Sequence, residues 1–342
     1  MNLRLGPLRG VALAASIMCT AAACSGPSTA HTFGASSSSR RSTPSTAQPT
    51  ASTSIDVSGL EGRIVFSAGP PHGEDVYVVR ADGSRLVQVT ADAVAEFDPS
   101  WSPDGRQIAY RHQPGDDDTT DIYVADVDGT DAHNVSGADD TADWGPAWSP
   151  SGDWIAWNTA RQATTYAFDL GLVHPDGSGI HLVKPGIHVE YPAWSPDGRQ
   201  IAFMSQVAAE GLQYDLFVMD ADGSHIRRLT TSPATDGFPA WSPDGTEIAF
   251  SSTRDDCAFS SSAKCLTTGD IGPFSALYAM NADGSDQHRV SRHFVQTVDW
   301  SPDGRYLLFG SRAGLTILSV DGSSMATIPL DVGSPNFPDW IG

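Results

Sequence analysis

One five-residue motif constrains this chain more than anything else in it. Trp-Ser-Pro-Asp-Gly stands at Trp101, Trp194, Trp241 and Trp300, and the variant Trp148-Ser149-Pro150-Ser151-Gly152 lies between the first two. Successive tryptophans are 47, 46, 47 and 59 positions apart, and Trp340 follows 40 after the last. A repeat of this length signals stacked sheet modules, none of which can bury its own faces alone. Within the motif, Pro sets φ at the first corner of a turn and Gly completes the bend.

Each motif leads into a short strand: Gln107-Ile108-Ala109-Tyr110, Trp154-Ile155-Ala156-Trp157, Gln200-Ile201-Ala202-Phe203, Glu247-Ile248-Ala249-Phe250 and Tyr306-Leu307-Leu308-Phe309. Arg63-Ile64-Val65-Phe66 has the same pattern with no tryptophan motif ahead of it. Both faces of these strands are apolar, as a sheet held between two neighbours requires. A second signature, Asp-Gly followed by Ser or Thr, occurs at Asp82, Asp128, Asp176, Asp222, Asp283 and Asp321. Asp-Gly between strands is a hairpin turn, because Gly accepts the positive φ the turn demands. Six such turns predict six modules.

The tryptophan motif, the strand after it and the Asp-Gly hairpins resemble the six-bladed, TolB-type β-propeller family across residues 59–342. The resemblance implies an all-β six-bladed β-propeller. Because the first blade lacks its inner strand, Asn336-Phe337-Pro338-Asp339-Trp340 is expected to supply it, so that a C-terminal strand completes blade 1 and closes the ring. The repeated tryptophans Trp101, Trp148, Trp194, Trp241, Trp300 and Trp340 then read as structural. Propellers of this type occur as periplasmic scaffolds, as lyases and in front of peptidase domains, so the resemblance specifies fold more narrowly than activity.

Residues 1–23 read as an export signal: Arg4 and Arg9, an apolar run from Val11 to Met18, then Ala21-Ala22-Ala23 before Cys24. Small residues directly ahead of a cysteine resemble the lipobox of bacterial lipoproteins, which implies lipidation at Cys24. Ala21 stands where that motif usually has Leu, and three alanines also suit ordinary signal cleavage, so both outcomes stay open. Residues 24–58 are rich in Ser, Thr, Ala and Pro and carry too little apolar surface to offset the entropy of ordering, which makes them a disordered tether. In the body only Cys257 and Cys265 remain, eight apart in one loop. A local disulfide is expected there, with a free pair as the alternative.

The chain has 20 basic and 41 acidic residues, a net charge of −21, which repels phosphate backbones and argues against a nucleic-acid partner. Such a surface favours solubility, attracts cations and suits a basic protein face. No Gly-x-Ser-x-Gly elbow, His-Glu-x-x-His motif or phosphate-binding Gly loop is present, and no histidine pair has zinc-ligand spacing. Carboxylates at the entry to the inner strands, Glu96, Asp143, Glu190 and Asp236, are expected around the mouth of the central channel. There they would form a ligand or calcium site, or remain solvated loop charges. Nearby loops add Asp116 to Asp118, Asp139-Asp140 and Asp255-Asp256. Asp75, Asp121, Asp169 and Asp215 each precede an Asp-Gly by seven residues, a regularity that points to a repeated structural hydrogen bond. The fifth-blade insertion, about Ser252 to Ser275, reads equally as a contact element or a tolerated surface loop.

The functional expectation is an exported, lipid-anchored, monomeric propeller that binds an envelope protein without catalysis or cofactor. TolB-like proteins in double-membrane bacteria work with a peptidoglycan-associated lipoprotein and a membrane energy-transducing complex, and the resemblance implies a partnership of that kind. The alternatives are a calcium-dependent carbohydrate lyase or lactonase, and a sensor of small ligands or glycans.

Overall fold

The computed structural model describes residues 53–70, 73–115, 119–137, 142–160, 168–207, 213–254 and 276–342. Cys24, Cys257, Cys265, Asp116 to Asp118, Asp139-Asp140 and Asp255-Asp256 lie outside the described residues. Within them stand six sheets, five antiparallel ones of four strands and one of five strands that includes a parallel edge pair. The six inner strands are Asn336–Ile341, Ala95–Trp101, Asp143–Trp148, Glu190–Trp194, Asp236–Trp241 and Asp299–Trp300, in blades 1 to 6. Each touches the next around a closed ring.

The ring closes as the sequence predicts. Asn336–Ile341 pairs with Arg63–Ala68, setting Trp340 opposite Ile64, so the last strand of the chain is the first of blade 1. A second closure was not legible in the sequence. Thr53–Ser54, in the segment expected to be tether, pairs in parallel with Ser324 and Met325 on the outer strand of blade 6. Among the described residues, Thr53–Ser54 therefore joins blade 6 while Asn336–Ile341 joins blade 1, so the two closures sit on neighbouring blades. Ile55, Val57 and Leu60 pack there against Ile328, Leu315 and their neighbours.

Alternation along the second strand of each blade explains how the blades fit. In blade 2, Ile108 and Tyr110 face blade 1 while Ala109 faces blade 3. Blades 3, 4 and 5 repeat this: Ile155 and Trp157, Ile201 and Phe203, and Ile248 and Phe250 point back, while Ala156, Ala202 and Ala249 point forward. Each blade therefore presents a bulky face to a shallow one, the condition for two pleated surfaces to interlock at native density. Fully buried side chains such as Trp157, Phe66, Phe203, Phe250 and Phe309 dominate these layers.

Three of the motif tryptophans bridge blades by hydrogen bonding as well as by area. The indole N–H of Trp194 donates to Ala147 O at 3.2 Å, that of Trp241 to Ala193 O at 3.2 Å and that of Trp300 to Ala240 O at 3.1 Å. Each acceptor belongs to the preceding blade, one residue before that blade's own tryptophan. The rest of the motif holds its own turn: Ser102 Oγ donates to Asp104 Oδ1 and accepts the Gln107 N–H, and Ser195, Ser242 and Ser301 repeat the arrangement. In the Asp-Gly hairpins the aspartate accepts the N–H of the residue two positions on, as Asp82 does from Ser84 and Asp283 from Ser285.

At the seam the residue before the tryptophan is acidic. Asp299 Oδ2 accepts the Trp340 N–H and Asp339 Oδ2 accepts the Trp101 N–H, each at 2.7 Å, so two carboxylates link blades 6, 1 and 2. Burial, and then the neighbouring Asp339 charge, push Asp299 well above the usual carboxylate range; burial raises Asp339 to about 6. A carboxyl raised on folding stabilises the folded state fully below its unfolded value and loses that contribution as pH rises through its folded value. The turn aspartates behave in the opposite way, because hydrogen bonds lower Asp82, Asp128, Asp222 and Asp321. Their contribution is present above the unfolded value and lost in acid.

Melting temperature should accordingly climb as pH falls from about 8 to 5 and drop below about 4. Asp339→Asn should flatten the upper limb of that profile; an unchanged slope would contradict a seam carboxyl raised by burial. Deleting residues 334–342 should unfold the protein or lower its melting temperature by more than 10 °C on the order of magnitude expected for several kcal/mol, and a truncated chain melting like the full one would refute the closure.

Candidate functional site

The ring axis is shaped by one local distortion repeated in five blades. Three residues before each motif tryptophan, the backbone turns left-handed: φ is 49° at Phe337, 51° at Asp98, 58° at Gly145, 47° at Tyr191 and 53° at Phe238. The pairing of the inner strand shifts register at each place, as a β-bulge does. Positive φ is uncommon for aromatic residues, and its recurrence here shows a position fixed by the fold. The bulge re-aims the side chain toward the axis.

There the side chains meet. Tyr191 of blade 4 stacks on Phe337 of blade 1 with ring centroids 5.8 Å apart and 13° between planes, a contact that joins opposite sides of the ring. Phe238 of blade 5 lies 4.5 Å from Tyr191 and 6.1 Å from Phe337. Gly145 makes room in blade 3, since a Cβ there would stand 3.0 Å from the Tyr191 ring. Blade 2 contributes Asp98, whose Oδ2 is 3.4 Å from Arg111 Nε, while the Arg111 guanidinium lies 4.3 Å over the Phe97 ring. Burial raises the Asp98 carboxyl and is opposed by Arg111; burial likewise raises the Tyr191 phenol, with the Asp98 charge adding to it. The axis is thus closed by three aromatic rings beside one buried ion pair. Spacing from the tryptophan is the signal that finds these residues, once the bulge is known.

The four carboxylates expected at the channel mouth stand at or next to the start of the inner strands of blades 2 to 5, each with its own set of neighbours. Asp236 is fully buried and bound by Arg254, Nη2 to Oδ2 at 2.7 Å and Nε to Oδ1 at 3.2 Å, with Ser252 Oγ donating at 2.5 Å. Glu190 Oε1 contacts His188 Nε2 and accepts the Tyr214 hydroxyl at 3.3 Å. Asp143 is buried, its N–H donating to Thr120 O at 3.0 Å and its carbonyl accepting the Thr120 hydroxyl at 2.7 Å. Glu96 is buried beside His112, with Nδ1 3.4 Å from Oε1. Among the described residues, the side chains that come within metal-ligand reach of one another are Asp92, Glu96 and His112, and not the four mouth carboxylates together.

Three of the second set of repeated aspartates reach the fourth strand through different partners rather than through one repeated hydrogen bond. Asp75 accepts Gln88 Nε2 at 2.9 Å, Asp169 lies 3.9 Å from Lys184 Nζ, and Asp215 is bound by Arg228, so each ties the third strand of its blade to the fourth. Beside Glu190 runs an aromatic path that the sequence did not reveal: Trp144 to Phe168 at 4.8 Å, then Phe168 to His188 at 4.7 Å.

With this geometry established, comparison with known proteins is informative. The TolB beta propeller domain, PD40, matches residues 58–210 and 182–313. No curated protein sequence matches the chain. Among solved structures, TolB from Acinetobacter baumannii is similar with a TM-score of 0.65 and 19% identity, covering 84% of this chain and 67% of its own. A putative TolB from Agrobacterium tumefaciens gives 0.59 and 18%, covering 80% and 90%. Hydrazine synthase from Kuenenia stuttgartiensis gives 0.64 and 14%, covering 86% and 50%. At these identities the likeness is one of fold, and it spans a protein named for chemistry as well as two named TolB.

Removing Asp236 would leave Arg254, whose side chain is only 19% exposed, without its counter-charge. Asp236→Ala should therefore cost about 3 kcal/mol in urea denaturation, and a loss below about 1 kcal/mol would show that the pair carries no structural charge balance.

Proposed function

The chain belongs to the TolB beta propeller family, and from that premise we propose that it is an exported, lipid-anchored scaffold that binds another envelope protein without catalysing a reaction. The observation that carries this reading is the filled axis. Tyr191, Phe238 and Phe337 meet where a propeller enzyme would need an open channel, and two of the four mouth carboxylates, Glu190 and Asp236, are engaged by His188 and Arg254. Interaction then falls to the rims, which are built from turns and interblade connections on a rigid ring.

Charge narrows the partner. With 41 acidic against 20 basic residues, the surface suits a basic docking face and salt-sensitive association. The Ser- and Thr-rich stretch after Cys24 would let a lipid-held ring search for that face some tens of ångströms from the membrane, on the scale of about 5 to 6 Å times the square root of its length.

Two measurements test the parts separately. Cys24→Ala should abolish fatty-acid labelling and move the protein from the membrane fraction to the soluble one; retained labelling would end the lipid-anchor reading. Crosslinking in intact envelopes should trap a partner whose recovery falls as salt is raised, and recovery of the protein alone, under conditions that trap other envelope complexes, would end the scaffold reading.

A further inference from the structure

Glu96, like Asp98, is a buried acid with no hydrogen-bond donor on either carboxylate oxygen, but Asp98 has the Arg111 guanidinium beside it whereas Glu96 has a histidine. Glu96 is 1% exposed. By contrast, Asp236, at the matching place in blade 5, is held by three donors. A carboxylate taken out of water with so little compensation is costly. Something absent from the protein itself would complete this site.

The surroundings say what. His112 faces Glu96 directly across the strand pair, and its ring rests on Tyr123 with centroids 4.3 Å apart. Asp92 stands on the connection from blade 1 into blade 2; its Oδ1 accepts the Val94 N–H at 2.9 Å, which sets the carboxylate at the entrance. Ligand atoms of Asp92, Glu96 and His112 all lie within 4.8 Å of one another. His112 Nδ1 and Glu96 Oε1 are 3.4 Å apart, too long for a good hydrogen bond. For a tetrahedral metal with bonds of about 2.0 to 2.2 Å, ligand atoms stand about 3.3 to 3.5 Å from one another. The pair is spaced as two ligands of one ion.

The geometry points to a divalent transition-metal site formed by Asp92, Glu96 and His112. Two carboxylates supply the charge that a dication balances, and the imidazole favours zinc or a similar ion over calcium or magnesium, which prefer oxygen alone. Glu96 and His112 sit on the two rigid inner strands of blade 2 and Asp92 on the incoming connection, so a bound ion would pin the blade 1 to blade 2 crossing. Three protein ligands leave a fourth position for water or a partner's side chain. This site is distinct from a calcium ion shared by the four mouth carboxylates and does not rest on the scaffold reading.

The test uses the full chain, stripped with a chelator and titrated with zinc by calorimetry and by thermal melting. One equivalent should bind and raise the melting temperature, while calcium at the same concentration should not. Asp92→Asn, at an exposed position that folding does not need, and His112→Gln should each weaken zinc binding roughly tenfold or more. Glu96→Gln should abolish it while raising the melting temperature of the metal-free protein, because the uncompensated charge is gone. His188→Gln should bind as the unaltered chain does. Cobalt in place of zinc should give visible d–d absorption that Asp92→Asn and His112→Gln reduce. No saturable zinc binding, or binding that survives all three ligand substitutions as an adventitious ion only, would overturn the assignment.

Discussion

The structure depends on one packing rule: each blade lays large side chains against the small ones of the blade before it. Ile108 and Tyr110 can be buried only because blade 1 offers a surface to receive them, and Ala109 leaves a shallow face that only Trp157 and its neighbours can fill. No blade satisfies itself. The pattern must run unbroken around the circle, because an open ring would leave one bulky face and one shallow face in water. That is why the two closures sit on neighbouring blades, with Trp340 opposite Ile64 in blade 1 and Thr53–Ser54 on the outer strand of blade 6.

The seam differs in chemistry from the other interfaces. Elsewhere the residue before the motif tryptophan is small, as at Ala147, Ala193 and Ala240, whose carbonyls take an indole N–H from the next blade. At blades 6 and 1 it is Asp299 and Asp339, whose side chains take a backbone N–H instead. A joint made between distant parts of the chain brings a larger loss of entropy than one between neighbours in sequence, and charge-assisted hydrogen bonds are a stronger way to offset it. The same choice makes closure sensitive to protons, since two buried carboxylates in one place cannot both ionise freely.

Toward the axis, one bulge in each of five blades shapes the centre of the ring. Turning five residues left-handed converts a uniform barrel of strands into a plug of chosen side chains, three of them aromatic. Nearby acids divide into two kinds. Asp236 and Glu190 are engaged by side chains of their own blades, while the buried Glu96 stands 3.4 Å from His112 without a hydrogen bond. The centre of the ring is occupied by Tyr191, Phe238 and Phe337.

Much of this was legible before any coordinates. Repeat length, the Asp-Gly turns and the doubly apolar strands determined six blades, and the lone strand at Ile64 determined that the tail must return to it, because hydrogen bonding and hydrophobic periodicity are local properties that a sequence displays directly. The structural use of Asp75, Asp169 and Asp215 was visible for the same reason, but not the different partner each takes. What only the tertiary structure decided was which side chains meet. Phe337 and Tyr191 are far apart along the chain and identical in pattern to ordinary strand residues until a bulge turns them inward. Asp92, Glu96 and His112 share no motif spacing, and the partner of each carboxylate follows from strand register and ring geometry. Contacts across the axis and across a strand pair are set by the closed shape of the whole ring, and no local stretch of sequence contains that information.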